Sequence, residues 1–167
     1  DPYAPQVYAK AAENLGLMLG KGVLTRDPAR CYYVYRLVMG QHAQTGLVAA
    51  ASLADYDTNR IRRHEHTQLD KENDRVRQID ALNAQTGPVM LAYPNAQEID
   101  DILARCSAGA PEADATADDG VRHSLWLVRD AEIQAQLTRA FDAMPALYIA
   151  DGHHRSAAAS RVAAARR

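Results

Sequence analysis

Apolar residues recur along the chain at two spacings, one typical of amphipathic helices and the other of strands. The helical spacing predicts helices over residues 5–20, 70–82, 96–106 and 130–141, followed by an alanine-rich helix at the end of the chain. Runs of aromatic, β-branched or alternating apolar residues predict strands over residues 31–39, 47–54, 89–93, 121–128 and 147–150, with an edge strand over residues 112–116. Because helices and strands do not follow a strict β-α-β order, the pattern predicts an α+β, mixed α/β fold.

Turn and capping residues set the expected limits of these elements. Pro5 suits the first turn of the first helix, and Asp130 is expected to cap the fourth. Residues 40–46 are expected to form the turn of a hairpin between the first two strands. Inward-facing side chains are predicted on three helices: Val76, Ile79 and Leu82; Ile99, Ile102 and Leu103; and Ile133, Leu137 and Ala140.

The length of 167 residues suits one ordinary domain with a core, and a single domain is the expectation. Residues 1–28 are predicted to be a helical lead-in, and residues 30–160 to be the core of the domain. The chain does not begin with Met, and its last helical pattern runs on without a Gly or Pro stop. The chain is therefore expected to be a piece of a longer protein.

The net charge, the cysteines and the absence of long apolar runs bear on the partners and the cellular compartment of the protein. The net charge is −2 with histidine neutral, which gives no overall attraction to nucleic acid or to membranes, so any basic site must be local. The two cysteines lack metal-ligand spacing, and the chain has no long apolar run and no signal-peptide pattern. We therefore expect a cytoplasmic protein without a membrane partner, and the charge argues against nucleic acid as a partner.

The sequence Asp-Gly-His-His-Arg at residues 151–155 lies between a short apolar run and the last helix. Gly152 permits a sharp turn and a close approach of the backbone to a ligand, and the start of the helix offers unpaired N–H groups and a positive dipole end. An anion such as phosphate is favoured there. His153, His154 and Arg155 would oppose the helix dipole when charged, by about 0.3–1 kcal/mol each. A bound phosphate would remove that conflict, with Arg155 as a bidentate partner.

A purely structural interpretation of the same turn is also open. Asp151 is then a plain cap for the N–H groups of the helix, the histidines are half-buried spacers, and Arg155 pairs with a distant carboxylate. The position directly after a strand, together with the charge conflict, favours the functional interpretation.

A second polar cluster spans residues 60–67 (RIRRHEHT). His64, Glu65 and His66 could supply a base, an acid or metal ligands, and the arginines, including Arg63, could attract anions. In an extended backbone His64 and His66 would share one face and Glu65 the other. The alternative is a solvated charged loop, because a His-x-His pair does not specify a third ligand.

At these residues the chain resembles domain-of-unknown-function family 1015. The segments that carry the resemblance are residues 61–67 (IRRHEHT), 71–75 (KENDR), 86–89 (TGPV), 118–123 (DDGVRH) with Leu125 and Trp126, and 148–155 (YIADGHHR). Their order and spacing cover roughly residues 30–160. Members of that family are longer at both ends, which agrees with the expectation of a longer protein.

The family in turn resembles the ParB/sulfiredoxin-like group, which includes an ADP-dependent free-serine kinase, a chromosome-partitioning CTPase and sulfiredoxin. The resemblance implies a ParB/sulfiredoxin-like mixed sheet with packed helices. It also implies that Gly152, His153, His154 and Arg155 hold nucleotide phosphates, and that Glu65 takes the place of the base that activates the substrate hydroxyl. Ser156 departs from the group's motif, in which an aromatic residue often follows, and this departure concerns the substrate more than phosphate binding.

The leading hypothesis is a nucleotide-dependent phosphotransferase that acts on a small hydroxylated metabolite such as a free amino acid. The nucleotide would be ADP or ATP, with Mg²⁺ bridging its phosphates. Residues 150–156 would form the phosphate-binding turn, joined by Arg63, and Asp151 would be the carboxylate on the metal side. Glu65, His64 and His153 are the candidate catalytic residues.

Two alternatives remain open at this point. One is a nucleotide-binding regulatory module that does not turn over a metabolite. The other is a metal-dependent phosphoesterase, whose ligands would be His64, His66, Asp151, His153 and His154.

Overall fold

The computed structural model describes residues 1–167 and shows six helices and seven strands. In chain order these are α1 (Pro5–Gly20), β1 (Tyr32–Met39), β2 (His42–Val48), α2 (Leu53–Asp57), β3 (Ile61–Arg62), α3 (Leu69–Leu82), β4 (Met90–Ala92), α4 (Gln97–Cys106), β5 (Ala113–Thr116), β6 (Arg122–Val128), α5 (Ala131–Asp142), β7 (Leu147–Asp151) and α6 (His153–Ala165). The predicted mixed α+β fold is confirmed.

The chain forms two compact units, and each is assembled from separate stretches of sequence. The first unit comprises Asp1–Arg26, Ser52–Pro94 and Ala146–Arg167, and the second comprises Asp27–Ala51 and Asn95–Pro145. This interleaving is not predictable from apolar periodicity, because the period shows which face of an element is buried and not which other element covers it.

The second unit contains an antiparallel sheet in the order β2-β1-β6-β5. Val34 and Trp126 lie opposite each other on β1 and β6 and are buried. The predicted inward residues Ile99, Ile102 and Leu103 of α4 and Leu137 of α5 are also buried. The Asp130 carboxylate caps α5 by accepting from the N–H groups of Glu132 and Ile133 at 2.8 and 3.0 Å, as predicted. The predicted edge strand is β5.

The first unit is built on a small mixed sheet in the order β3-β7-β4, in which β7 runs parallel to β3 and antiparallel to β4. Its core contains Tyr56, Ile61, Ile149 and Ala157. Helices α3 and α6 are joined by Arg161, which donates to Glu72 at 3.1 Å and to Asn73 at 2.8 Å. The predicted stripe on α3 (Val76, Ile79 and Leu82) is half-buried.

Two sequence predictions in the region between residues 40 and 62 were wrong. The hairpin turn occupies only Gly40 and Gln41, because Gly40 takes a φ of +60° and lets Met39 pair directly with His42. The second strand is therefore residues 42–48, not 47–54, and Ser52 instead caps the short helix α2 by accepting from the Asp55 N–H at 3.4 Å. The strand β3 was missed, since two residues are too few to show a period.

Both cysteines, Cys31 and Cys106, are free thiols. The structure contains no helix with the length and hydropathy that a membrane span requires.

Candidate functional site

The 151–155 turn connects β7 to α6 within the first unit. Gly152 occupies the N-cap position with φ +103° and ψ +29°, a left-handed conformation that favours glycine. Ser156 is the first residue whose N–H bonds back along the helix, to the Gly152 carbonyl at 2.9 Å. No side chain caps α6, so the N–H groups of its first turn, which have no intrahelical acceptor, are available to a ligand.

Asp151 does not cap these N–H groups, which contradicts that part of the purely structural interpretation of the turn. Its carboxylate Oδ2 instead accepts from the Arg155 guanidinium, four residues later. The side chain of Asp151 is 75% exposed, whereas that of Arg155 is 27% exposed. The ion pair partly offsets the unfavourable position of Arg155 near the positive end of the helix dipole.

Two glycines bring the backbone close to the Arg155 side chain. A Cβ at Gly87 would lie 3.1 Å from both Cδ and Nη1 of Arg155. A Cβ at Gly152 would lie 3.1 Å from both Nε and Nη2 of the same side chain. Any larger residue at either position would push the guanidinium, so the two glycines and Asp151 together determine where Arg155 points.

The structure brings the two polar clusters of the sequence together. The buried ring of His153, 3% exposed, lies edge-on to the ring of His64, with 4.4 Å between centroids. Nδ1 of His153 is 3.5 Å from Oε2 of Glu65. The backbone bends at Glu65 instead of running extended, so the alternation of faces expected for an extended backbone does not apply. His64 and Glu65 both approach His153.

Both histidines of the turn accept hydrogen bonds from the facing backbone. Nε2 of His153 accepts from the N–H of His64 at 3.4 Å. Nε2 of His154 accepts from the N–H of Gln68, the N-cap residue of α3, at 3.1 Å. A ring nitrogen that accepts carries no proton, so both rings are neutral in this arrangement. The charge conflict expected at the helix start is therefore limited to Arg155.

The turn opens into a cavity of about 530 Å³, which we call the turn cavity. Besides residues 151–155, its lining includes Glu65 from the loop, Lys71 and Arg75 from α3, and Thr86 and Gly87 from the segment before β4. Lys71 forms no ion pair within the chain. Arg75 lies 3.7 Å from Asp74 and donates to Gln78 at 2.8 Å. Cationic side chains from two helices thus face the same space as the carboxylates of Glu65, Asp74 and Asp151. The cations offer local contacts to an anionic group, while the formal charge of the lining is balanced.

Helix α3 places Lys71, Asp74 and Arg75 on the cavity, and Glu72 and Asp74 accept hydrogen bonds from other elements of the unit. Lys71 and Arg75 are one helical turn apart, and both reach the cavity. Glu72 accepts from Thr67 and Arg161, while Asp74 accepts from the Tyr8 hydroxyl at 2.8 Å. Burial raises the pKa of Tyr8, and the hydrogen bond to Asp74 raises it further. Lys71 and Arg75 were not predicted from the sequence as site residues, although their i, i+4 spacing on one helix was a visible signal.

Three predicted site residues do not line the cavity: Arg63, His64 and His66. The Arg63 guanidinium lies over the Tyr56 ring, 5.1 Å from its centroid, and donates to the Tyr56 hydroxyl at 3.4 Å. The chain contains no group of three or more His, Cys, Asp or Glu side chains arranged to hold a metal ion. The five ligands of the phosphoesterase alternative are therefore not assembled into a preformed metal centre.

Comparison with known proteins identifies a family but no characterised relative. The family model described as "Protein of unknown function (DUF1015)" matches residues 1–167, and the chain belongs to that family. No curated protein and no solved structure matches the chain.

Proposed function

We propose that the turn cavity binds the phosphate groups of a nucleotide, ADP or ATP, and that the chain transfers a phosphoryl group to a small hydroxylated metabolite. The observation that carries the proposal is the uncapped start of α6 at Gly152, which opens with Arg155 into a cavity that Lys71 and Arg75 also line. Free backbone N–H groups, a positive dipole end and a forked guanidinium are the donors that phosphate oxygens accept from most strongly. The cavity is within the size range of small-molecule sites.

The residues present fit a Mg²⁺ ion that arrives with the nucleotide. Mg²⁺ is commonly held by one or two carboxylates together with substrate phosphates, and Asp151 offers an exposed carboxylate beside the turn. Arg155 occupies Oδ2 of that carboxylate and leaves Oδ1 open. A bound Mg²⁺ would neutralise charge on the phosphates. Asp151 and Arg155 would orient the phosphates on either side.

Glu65 is the candidate base toward an acceptor hydroxyl. Its side chain is 59% exposed and lines the same cavity as the turn, so a substrate between them could contact both. Carboxylates that accept a hydroxyl proton while a separate set of donors holds the phosphates are a recurring arrangement in phosphoryl transfer. The proposed acceptor class is a small metabolite with a hydroxyl group, such as a free amino acid.

Isothermal titration of the protein with pyrophosphate, ADP and ATP, with and without Mg²⁺, tests the binding step. Removing Arg155 takes away a charge-assisted contact of about 1.5–3 kcal/mol, so Arg155→Ala should weaken binding by roughly 10- to 100-fold. The matched control is Arg139→Ala, whose side chain is 65% exposed and pairs with Glu132 in the second unit. Full-strength binding by Arg155→Ala, or no binding of any phosphate compound by the wild type, would contradict the proposal.

A transfer assay with a panel of hydroxylated amino acids tests the reaction. Phosphoryl transfer that Glu65→Gln abolishes while nucleotide affinity is retained is the expected result. Nucleotide binding without transfer to any acceptor would instead support the regulatory module and overturn the kinase part of the proposal.

A further inference from the structure

We propose that His153 and His154 are positioning residues, neutral acceptors that fix the 63–68 loop against the 151–155 turn and orient Glu65 toward the cavity. The roles of Glu65 as a base and of the cavity as a phosphate site rest on the proposed function. The hydrogen bonds that the two rings accept do not depend on it. The observation behind the proposal is that consecutive histidines both point Nε2 at backbone N–H groups of the same loop.

The donors that face these rings determine their protonation state. A backbone N–H cannot accept a hydrogen bond, so each Nε2 must present a lone pair to its donor. The proton of a neutral ring then resides on Nδ1. For His153, that Nδ1–H faces Oε2 of Glu65 at 3.5 Å. His153 is 3% exposed, so this single tautomer is enclosed between the His64 N–H on one side and the Glu65 carboxylate on the other.

The two bonds tie together the parts that form the cavity. His153 holds the loop at His64, next to Glu65. His154 holds it at Gln68, where α3 begins, three residues before Lys71. The side chains that face the ligand space from the loop and from α3 are thereby fixed relative to the start of α6. The histidines act through Glu65 and Lys71 and are not themselves required to touch phosphate.

Imidazole ¹⁵N resonances of the ligand-free protein provide a direct spectroscopic test. The expected result at pH 8 is an unprotonated Nε2 and a protonated Nδ1 for both His153 and His154. His42 is the internal comparison, since it is exposed on β2 in the second unit. Protonated Nε2 atoms on His153 and His154 would overturn the proposal, because such rings could not accept from the loop.

Two substitutions of His154 test its hydrogen bond to Gln68 at the start of α3, one by removing the acceptor and the other by restoring it. Glutamine places an amide oxygen near the position of Nε2, whereas leucine offers no acceptor. In His154→Leu the Gln68 amide should exchange its hydrogen about fivefold faster or more, the factor expected for one lost hydrogen bond. His154→Gln should restore most of the protection, and the control His42→Gln should change nothing. Equal exchange at Gln68 in all four proteins would contradict the proposed role.

The pyrophosphate affinity of the same variants tests whether the hydrogen bond between Gln68 and His154 affects ligand binding in the cavity. His154→Leu should bind pyrophosphate more weakly than the wild type, and His154→Gln should recover most of the affinity. If the wild type binds no pyrophosphate, the phosphate proposal is overturned, while the roles of the histidines are decided by the tautomer and exchange results alone. If His154→Gln binds as weakly as His154→Leu while Gln68 protection is restored, a direct phosphate contact by His154 replaces the positioning role.

Discussion

Replacing Gly87 with alanine would add a Cβ at 3.1 Å from Cδ and Nη1 of Arg155. Ordinary contacts between such atoms are about 3.5 Å or longer, so the side chain would have to yield by several tenths of an ångström. Arg155 has little room to yield, because its Nε and Nη2 already lie near the backbone at Gly152 and its Nη2 is bonded to Asp151. The substitution therefore displaces the guanidinium without removing it.

The expected effect on affinity follows from what Arg155 can contribute. Complete loss of a charge-assisted contact costs about 1.5–3 kcal/mol, and a displacement of a few tenths of an ångström should cost part of that. A loss of about 1 kcal/mol corresponds to roughly fivefold weaker binding of pyrophosphate. Gly87 does not have a positive φ, so alanine fits its backbone conformation and stabilises the protein by about 0.4–1 kcal/mol by restricting the unfolded chain. This gain opposes the cost of the close contact with Arg155, so the free energy of unfolding should change little.

Titration calorimetry with pyrophosphate and urea unfolding of the same protein together measure both quantities. The matched control is Gly109→Ala in the second unit, where an added Cβ meets no atom within 4 Å. Gly87→Ala should lose affinity while keeping its stability, and Gly109→Ala should keep both. Unchanged affinity in Gly87→Ala would refute the reasoning that the glycine positions Arg155 for the ligand.

Three further predictions concern the fold. Asp130→Ala removes the cap of α5 and should lower the free energy of unfolding by about 1 kcal/mol in urea melts; no change would show that the cap contributes nothing. Leu137→Ala truncates a fully buried side chain and should lower the free energy of unfolding by about 2–5 kcal/mol. A decrease of less than about 1 kcal/mol would contradict this. The hydrogen bond from Arg122 lowers the pKa of Asp114, so its contribution is present above the usual aspartate range and disappears as the pH falls. The stability difference between wild type and Arg122→Gln should accordingly be full at pH 6 and shrink below about pH 4, and a pH-independent difference would contradict this.

Capping and helix-starting residues in the sequence correctly predicted where some of the helices begin. Pro5 marks the start of α1, and Asp130 caps α5, where the sequence placed both. The limits of β2 were not predictable in the same way. Its polar residues lie on an edge strand, and its register depends on the tight turn at Gly40 and on pairing with β1.

The site shows the same division between local and distant determinants. The Gly152 turn was identified from its place between an apolar run and a helix, and it occupies that place in the structure. The roles of His153 and His154 depend on N–H groups 89 and 86 residues away in the chain, which no local pattern reveals. Sequence spacing therefore located the turn, but it could not show that the hydrogen bonds accepted by its histidines require neutral rings.

The central claim is that the start of α6 binds phosphate, and amide NMR measures this most directly. In a titration of ¹⁵N-labelled protein with pyrophosphate, the N–H resonances of residues 152–155 should shift together and reach saturation, and these shifts should be strongly reduced in Arg155→Ala. Saturable shifts confined to other parts of the chain, or no shift at residues 152–155 at millimolar pyrophosphate, would contradict the claim.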